Sequence, residues 1–478
     1  MRLDKEKKLL CVFAALALII CLVPLVGMTF ARTDQTTEKK ELAPLPSLVE
    51  DGHLNTDYLS GLGDYFNDHF AFRQELVSFD SILRGRIFGV SSDDSVVVGR
   101  DGWLFYSDTL NDFTGSAPMS ERKIFNIANN LSLTQSYVES TGAQFVFTIA
   151  PNKNTLYPQY MPYTYSAAER SSHNAVVLGE QLTARGVNYV DLFELFDGQD
   201  EVLYLARDSH WNNRGALLSC EALLSAVSHT DVSFSQLEGT VTDDYVGDLN
   251  LMLYPLGAQP ESNIDYAIDN YTYTNGASSV EDPIIVTSAS DVQGSLLMYR
   301  DSFGNTMLPF MASSFSSACF VRTVPYNLGT YSMIYQPTVV IIEKVERSID
   351  ELSSMPPVFE TGDTELLISS AIESDSTLSV CEPAENIMFW RIDGVLDSTV
   401  LDPLSRIFVR ISDQDGFSVT REAFTMSTDS SDFGLRAYIN KDLLASDEIT
   451  VEAVASVGGV WTVVASNEVV LSSIPPAF

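Results

Sequence analysis

Apolar residues recur every three or four positions along "YLSGLGDYFNDHFAFRQELVSFDSILRGRIF" (58–88), which predicts helix with a break around Asn67-Asp68. The stretch "SVVVGRDGWLFY" (95–106) sets two β-rich runs on either side of Gly99-Arg100-Asp101-Gly102, a hairpin signal. From Ser120 onward the two periodicities alternate: helix 121–141, strand 144–150, helix 168–186, strand 188–193, helix 211–228, strand 295–299, a helix from about Asn305, and strand 338–345. Alternation of this kind predicts an α/β fold with a mainly parallel sheet over 50–380, and ligands of such sheets sit at the carboxyl ends of the strands. Beyond about Cys381 the helical pattern gives way to short runs, "RIFVRIS", "LRAYIN", "ITVEAVAS" and "WTVVAS", broken by Asp, Gly and Ser, which predicts a β-sandwich-like accessory domain over 381–478.

The amino-terminal end follows a different pattern. Arg2, Lys5, Lys7 and Lys8 precede an uncharged run over 9–31, long enough to cross a bilayer core of about 30 Å as a helix. Positive charge before the span places residues 1–8 in the cytoplasm and the bulk of the chain outside, at the cell membrane. The small-x-small sequence Thr29-Phe30-Ala31 could be a signal-peptidase site, but the run exceeds a signal h-region of roughly 7 to 15 residues, which favours an uncleaved anchor. Polar, proline-bearing residues 32–49 read as a tether. The 64 acidic against 28 basic residues, a formal charge of −36, exclude nucleic acid as a partner on electrostatic grounds. Of the cysteines, Cys11 and Cys21 lie in the apolar run, and Cys220, Cys319 and Cys381 are scattered beyond it without CxxC spacing. Free thiols are favoured over a disulfide framework, although one pair among the three stays open. No metal-ligand spacing and no Gly-rich phosphate loop occurs, so neither a metal nor a cofactor is expected.

Three polar strand ends carry candidate chemistry. "SLLMYRDSFGNTMLPF" (295–310) runs from an apolar strand through Arg300-Asp301-Ser302-Phe303-Gly304 into a helix, a turn that can hold a serine nucleophile beside a helix amino terminus. Helix capping by Asp301 or Ser302 explains the same fragment. A serine needs a base, and the base a group to fix its tautomer. "LYLARDSHWNNRGA" (203–216) offers both in Asp208 and His210, while alone it reads more readily as a hydrogen-bonded loop, or as an exposed metal-ligand pair. In "IAPNKNTLYPQYMP" (149–162), Asn152 could donate to an oxyanion and Lys153 could orient a polar substrate, or the four residues Pro-Asn-Lys-Asn simply turn. Tyr157, Tyr160, Tyr163 and Tyr165 suit a sugar-stacking platform or a covering loop.

Taken together, Asp208-Ser209-His210-Trp211 followed by Gly215, and Arg300-Asp301-Ser302-Phe303-Gly304 later in the chain, resemble the DHHW proteins of Gram-positive bacteria. These are similar in turn to the SGNH-hydrolase-like acetyltransferases of alginate O-acetylation. "YFNDHFAFR", "GRDGWLFY", "APNKNTLYP", "YVGDLN" and "PTVVIIEKVER" extend the resemblance over about residues 42–350. It implies an SGNH-like catalytic domain with Ser302 as nucleophile, His210 as general base and Asp208 as its orienting carboxylate. Ser209 stands where the name-giving motif has a histidine, and Arg300 where many relatives have glycine. The oxyanion is expected at the amides of Ser302 and Phe303 with Asn152, and Trp211 packs or walls the substrate. The implied activity is transfer of acetyl groups to a polysaccharide acceptor, supplied by a multispanning membrane acyltransferase. A carbohydrate esterase with the same triad, and a non-catalytic glycan-binding envelope protein, are the alternatives.

Overall fold

The computed structural model describes residues 2–27, 43–50, 53–73, 75–76, 79, 91–169, 172–229, 234, 237–384 and 386–475. Arg2–Gly27 form one helix. Several side chains of its apolar run, and residues 28–31 entirely, lie outside the described residues, and among those described no helix is long and apolar enough to cross a membrane. The expected span over 9–31 thus falls partly outside the described residues, as does most of the tether over 32–49. The helix expected from 58 is Tyr58–His69, ended by Phe70 in extended conformation; residues 80–88 of that reading are outside the description. The predicted hairpin forms, Val96–Val98 pairing antiparallel with Leu104–Tyr106 around left-handed Asp101 and Gly102.

Seven strands make the central sheet: β1 (Gln144–Ala150), β2 (Tyr189–Val190), β3 (Tyr271–Tyr273), β4 (Ile284–Ala289), β5 (Ser295–Tyr299), β6 (Ser317–Val321) and β7 (Val339–Val345). Their order is β2-β1-β7-β5-β6-β4-β3. The first four pairings are parallel; β4 and β3 add an antiparallel edge, so the sheet is mixed although mainly parallel. Alternate residues of each strand face opposite sides. Phe145, Phe147, Leu297, Tyr299, Val340 and Ile342 pack under the helices Glu121–Ser140 and Asn174–Ala184. Val146, Leu296, Met298, Val339 and Ile341 pack under Asn213–Ala226 and Gly304–Ser314. The strand expected over 188–193 stops at Val190, because the Asp191 carboxylate accepts from the amides of Phe193 and Glu194 and starts the helix Leu192–Asp197.

The carboxyl-terminal part is built from a five-stranded and a four-stranded sheet around their own core. Its strands begin at Ser370–Ala371, paired with Thr462 and Val463, ahead of the expected start near Cys381. It is not a loosely tethered unit. The helix Glu121–Ser140 turns a row of polar side chains into it: Arg122 Nη1 donates to Ser405 O at 2.7 Å, Asn126 Nδ2 to Asp432 O at 2.9 Å and Asn129 Nδ2 to the Glu422 carboxylate at 3.0 Å. Asn130, 3% exposed, both donates to Thr425 O at 2.8 Å and accepts from Thr425 N at 3.1 Å. Phe389, Phe424 and Tyr438 complete the apolar cluster on that face of the central sheet. Cys220, Cys319 and Cys381 are free thiols.

Because Asn130→Ala leaves the amide and carbonyl of Thr425 buried and unpaired, it should destabilise the protein by about 2–4 kcal/mol. Urea denaturation followed by tryptophan fluorescence should show a lower midpoint, in one transition that loses both parts together.

Candidate active site

Ser302 stands on the turn between β5 and the helix Gly304–Ser314. Asp301 braces that turn against β7. Its Oδ1 accepts from Phe303 N at 2.9 Å and its Oδ2 from Val345 N at 2.7 Å, while its own amide donates to the Glu343 carboxylate at 3.1 Å. Burial and the nearby Asp301 charge hold the Glu343 carboxyl, beneath the turn, well above the usual carboxylate range. Arg300 runs its stem back over Gly304, where an added Cβ would lie 2.6 Å from Arg300 Cβ. Its guanidinium donates to Asn305 Oδ1 and to Val280 O at 2.7 Å, and burial lowers its pKa to about 10.

The loop carrying Asp208 and His210 is propped from behind. Lys153, 3% exposed, donates from Nζ to Leu205 O and Ala206 O, both at 3.0 Å, and to Asp208 O. Burial lowers its pKa to about 8, opposed by the negative charge of Asp208. From the front the loop is fastened by Trp211, fully buried, whose Nε1 donates to Phe303 O at 3.2 Å and Thr306 Oγ1 at 2.6 Å. The Trp211 and Phe303 rings meet edge-to-face with centroids 4.9 Å apart.

These supports bring the three proposed groups into line. Asp208 Oδ1 lies 2.7 Å from His210 Nδ1, and His210 Nε2 lies 2.8 Å from Ser302 Oγ. The His210 backbone amide also donates to Asp208 Oδ1 at 2.8 Å, closing the loop on itself. Burial would raise the Asp208 carboxyl, but the hydrogen bond and charge of His210, with the amides of Asp248 and His210, outweigh it and hold the group below the usual carboxylate range. Asp208 is therefore ionised, which suits it to stabilise a positive charge on His210.

The remaining sequence candidates occupy other roles. Asn152 is buried with its amide nitrogen 3.4 Å from Asp112 Oδ2 and its backbone N–H on Glu346. Lys153 is a strut of the loop, out of reach of a polar substrate, because its stem is short of solvent and its three donors are spent on carbonyls. Arg300 clamps the helix start. The Phe303 amide is taken by Asp301, which leaves the Ser302 amide as the backbone donor of the turn with no bond to a protein group among the described residues. Trp211 packs. The tyrosines divide: Tyr160 stacks on Trp103 at 4.2 Å and Tyr157 accepts from Leu203 N, while Tyr163 is 86% exposed with Arg100 over its ring.

Tyr245 and Asp248 reach the site without having been assigned a role: Tyr245 OH donates to Asp208 Oδ2 at 3.1 Å and Asp248 N to the same oxygen at 2.9 Å. Their signal was the "YVGDLN" motif, which pattern alone ties to no partner. Arg347, from "KVER", lies over the rings of Phe303 and Tyr106 at 5.5 and 5.3 Å and lines an adjoining cleft of about 480 Å³ with Asp108, Asp112 and Asp350. Among the described residues, Asp208, His210 and Asp248 alone bring donor atoms of a histidine and carboxylates within 4.8 Å of one another, and those atoms are already spent on the hydrogen bonds of the site.

A strand-to-helix serine turn with a histidine and a carboxylate on a neighbouring loop is the arrangement of a serine-dependent acyl-transfer or hydrolytic site. Residues 96–284 match the family described as SGNH hydrolase-like domain, acetyltransferase AlgX. That span holds Asp208 and His210 but ends before Ser302, whose place rests on the geometry. The chain is 25% identical over 214 residues to the protein named "Probable alginate O-acetylase AlgJ" of Pseudomonas syringae pv. tomato, an alignment covering 42% of this chain and 51% of that protein. It thus spans about half the length of the curated relatives it matches. The structure of Bacillus cereus PatB1 superposes with a TM-score of 0.42 at 17% identity, covering 54% of this chain and 97% of that one. A DHHW family protein from Eubacterium siraeum gives 0.39 at 18%, with 53% and 94% covered. The resemblance to the acetyltransferases of alginate O-acetylation is borne out by the family match and the relatives named AlgJ.

Asp208→Asn should lower turnover roughly 10⁴-fold by presenting the wrong hydrogen-bonding pattern to Nδ1. With its folded-state pKa below the ordinary 3.8, Asp208 contributes stability that is fully present above pH 3.8 and lost as pH falls through the lower value. Urea midpoints measured against pH should therefore fall less steeply on the acid side in Asp208→Asn than in the wild type.

Proposed function

We propose that the chain is a membrane-anchored, extracytoplasmic O-acetyltransferase that moves acetyl groups onto a cell-surface or secreted polysaccharide through an acyl-serine at Ser302. The observation that carries this reading is the continuous hydrogen-bond line from Asp208 through His210 to Ser302, 2.7 and 2.8 Å long. His210 Nε2 takes the hydroxyl proton as Ser302 Oγ bonds to the acetyl carbonyl carbon, and the carbonyl oxygen takes up charge beside the Ser302 amide. The proton passes from His210 to the leaving group as its bond to the acetyl carbon breaks. A sugar hydroxyl then attacks the serine ester, giving its proton to His210, and collapse returns that proton to Ser302. The likeness to proteins named as alginate O-acetylases supports acetyl as the group and a polysaccharide as the acceptor. The basic residues ahead of the uncharged run over 9–31 support the anchor and its orientation. Acetyl groups must reach the outer face, so a multispanning membrane acyltransferase belongs to the same reading as the donor.

The esterase reading shares every step except the last, and the half-buried positions of Ser302 and His210 leave the ester open to water. Purified full-length protein should therefore be given 4-nitrophenyl acetate with and without a glycan acceptor. Transfer predicts acetylated glycan and release accelerated by the acceptor; release indifferent to the glycan with no acetylated product means an esterase. Ser302→Ala should cut either activity by roughly 10⁴-fold or more and abolish polysaccharide acetylation in cells; unchanged acetylation would sink the proposal.

A further inference from the structure

The triad on which the proposed function rests has a second carboxylate behind it. Ser209 Oγ lies 3.1 Å from His210 Nδ1 and 2.6 Å from Asp248 Oδ2, and that oxygen is itself 3.6 Å from Nδ1. The other oxygen, Asp248 Oδ1, accepts from the amides of Ser209 at 2.7 Å and Leu249 at 2.6 Å. The two ends of the carboxylate are thereby distinguished: Oδ1 is fixed by two N–H donors, and Oδ2 faces the serine hydroxyl with no other donor on it among the described residues. An ionised carboxylate only accepts, so the Ser209 proton must point to Asp248, and Ser209 Oγ offers its lone pairs to Nδ1–H. His210 Nδ1–H is then shared between Asp208 Oδ1 and Ser209 Oγ, both of which require the proton on Nδ1 and leave Nε2 bare for Ser302.

We propose that Asp248 is a positioning residue of the acyl-transfer reaction, acting through the Ser209 hydroxyl to fix the His210 tautomer. The groups facing His210 are consistent with that: Asp208, Ser209 and Asp248 on the Nδ1 side, Ser302 on the Nε2 side, and the Phe303 ring at 4.8 Å across its face. Tyr245 and Lys153 bond to Asp208 instead of the imidazole. Ser209 thus fills the position of the first histidine of the family motif with a hydroxyl that serves as the link of a relay.

The relay makes a prediction that a simple packing role does not. In Asp248→Asn the two backbone donors keep the amide oxygen on their side, so the NH2 group faces Ser209 Oγ. The serine proton, displaced, turns to His210 Nδ1 and favours the unproductive tautomer. Removing the hydroxyl should relieve the fault. With full-length protein in detergent and 4-nitrophenyl acetate as acetyl donor, Asp248→Asn should lower kcat by about 30-fold with KM little changed, and Ser209→Ala by only about 3-fold. The double variant should recover most of the loss and fall near Ser209→Ala. A double variant as slow as Asp248→Asn or slower, or Asp248→Asn with wild-type kcat, overturns the relay. Ser209→Ala retains the Asp248 carboxylate and its backbone bonds, so it reads the relay even where Asp248→Asn folds poorly, and a kcat loss there of the size caused by Asp248→Asn also overturns it. Ser302→Ala run beside them separates the two claims: turnover surviving that change removes the triad reading and the relay with it, whereas turnover lost there but equal in wild type and Asp248→Asn removes the relay alone.

Discussion

A hydroxyl and an imidazole borne on segments far apart in the chain meet at 2.8 Å because one indole joins their carriers. Trp211 follows His210 directly, and its ring nitrogen is bonded to Phe303 O and Thr306 Oγ1, one and four residues beyond Ser302. Any rigid-body shift of the loop against the serine helix must break those two bonds and separate the Trp211 and Phe303 rings. A side chain outside the Asp208–His210–Ser302 line therefore sets the distance between imidazole and hydroxyl.

Around that lock the polar groups of the site form a frame whose members hold one another and leave few donors to spare. Lys153 spends its ammonium on loop carbonyls, Asp301 spends both carboxylate oxygens on the turn and on β7, and Arg300 folds over Gly304. In a buried environment each of these bonds matters more for what its loss would expose than for its own net strength. The outcome is preorganisation: Asp208, 2% exposed, accepts four hydrogen bonds and stays ionised, while His210 and Ser302 keep partial access to solvent.

Much of this was legible in the sequence where local pattern decides structure. Strands β1, β5 and β7 lie on or within a residue of the expected runs, since long apolar strands buried on both faces carry a strong signal. Asp208, His210 and Ser302 were legible because an acid, a base and a turn serine sat at strand ends of one domain. What remained hidden depended on partners far away in the chain. Nothing in the local pattern marks Asn126, Asn129 and Asn130 as buried, yet their amides lie against the carboxyl-terminal sheets. Lys153 and Asn152 follow a strand as substrate-facing groups would, and nothing nearby announces that Asp208 O and Asp112 lie within their reach. The Phe303 amide would have been a sound oxyanion donor had Asp301 pointed elsewhere.

If Ser302 is the nucleophile and His210 its base, an acetyl-serine must form during turnover of an acetyl ester, and mass spectrometry of the quenched full-length protein detects it. The geometry predicts one acetyl group on the peptide containing Ser302, present in the wild type and absent in His210→Ala; acetylation of another residue, or of Ser302 at an undiminished rate without the imidazole, would contradict it.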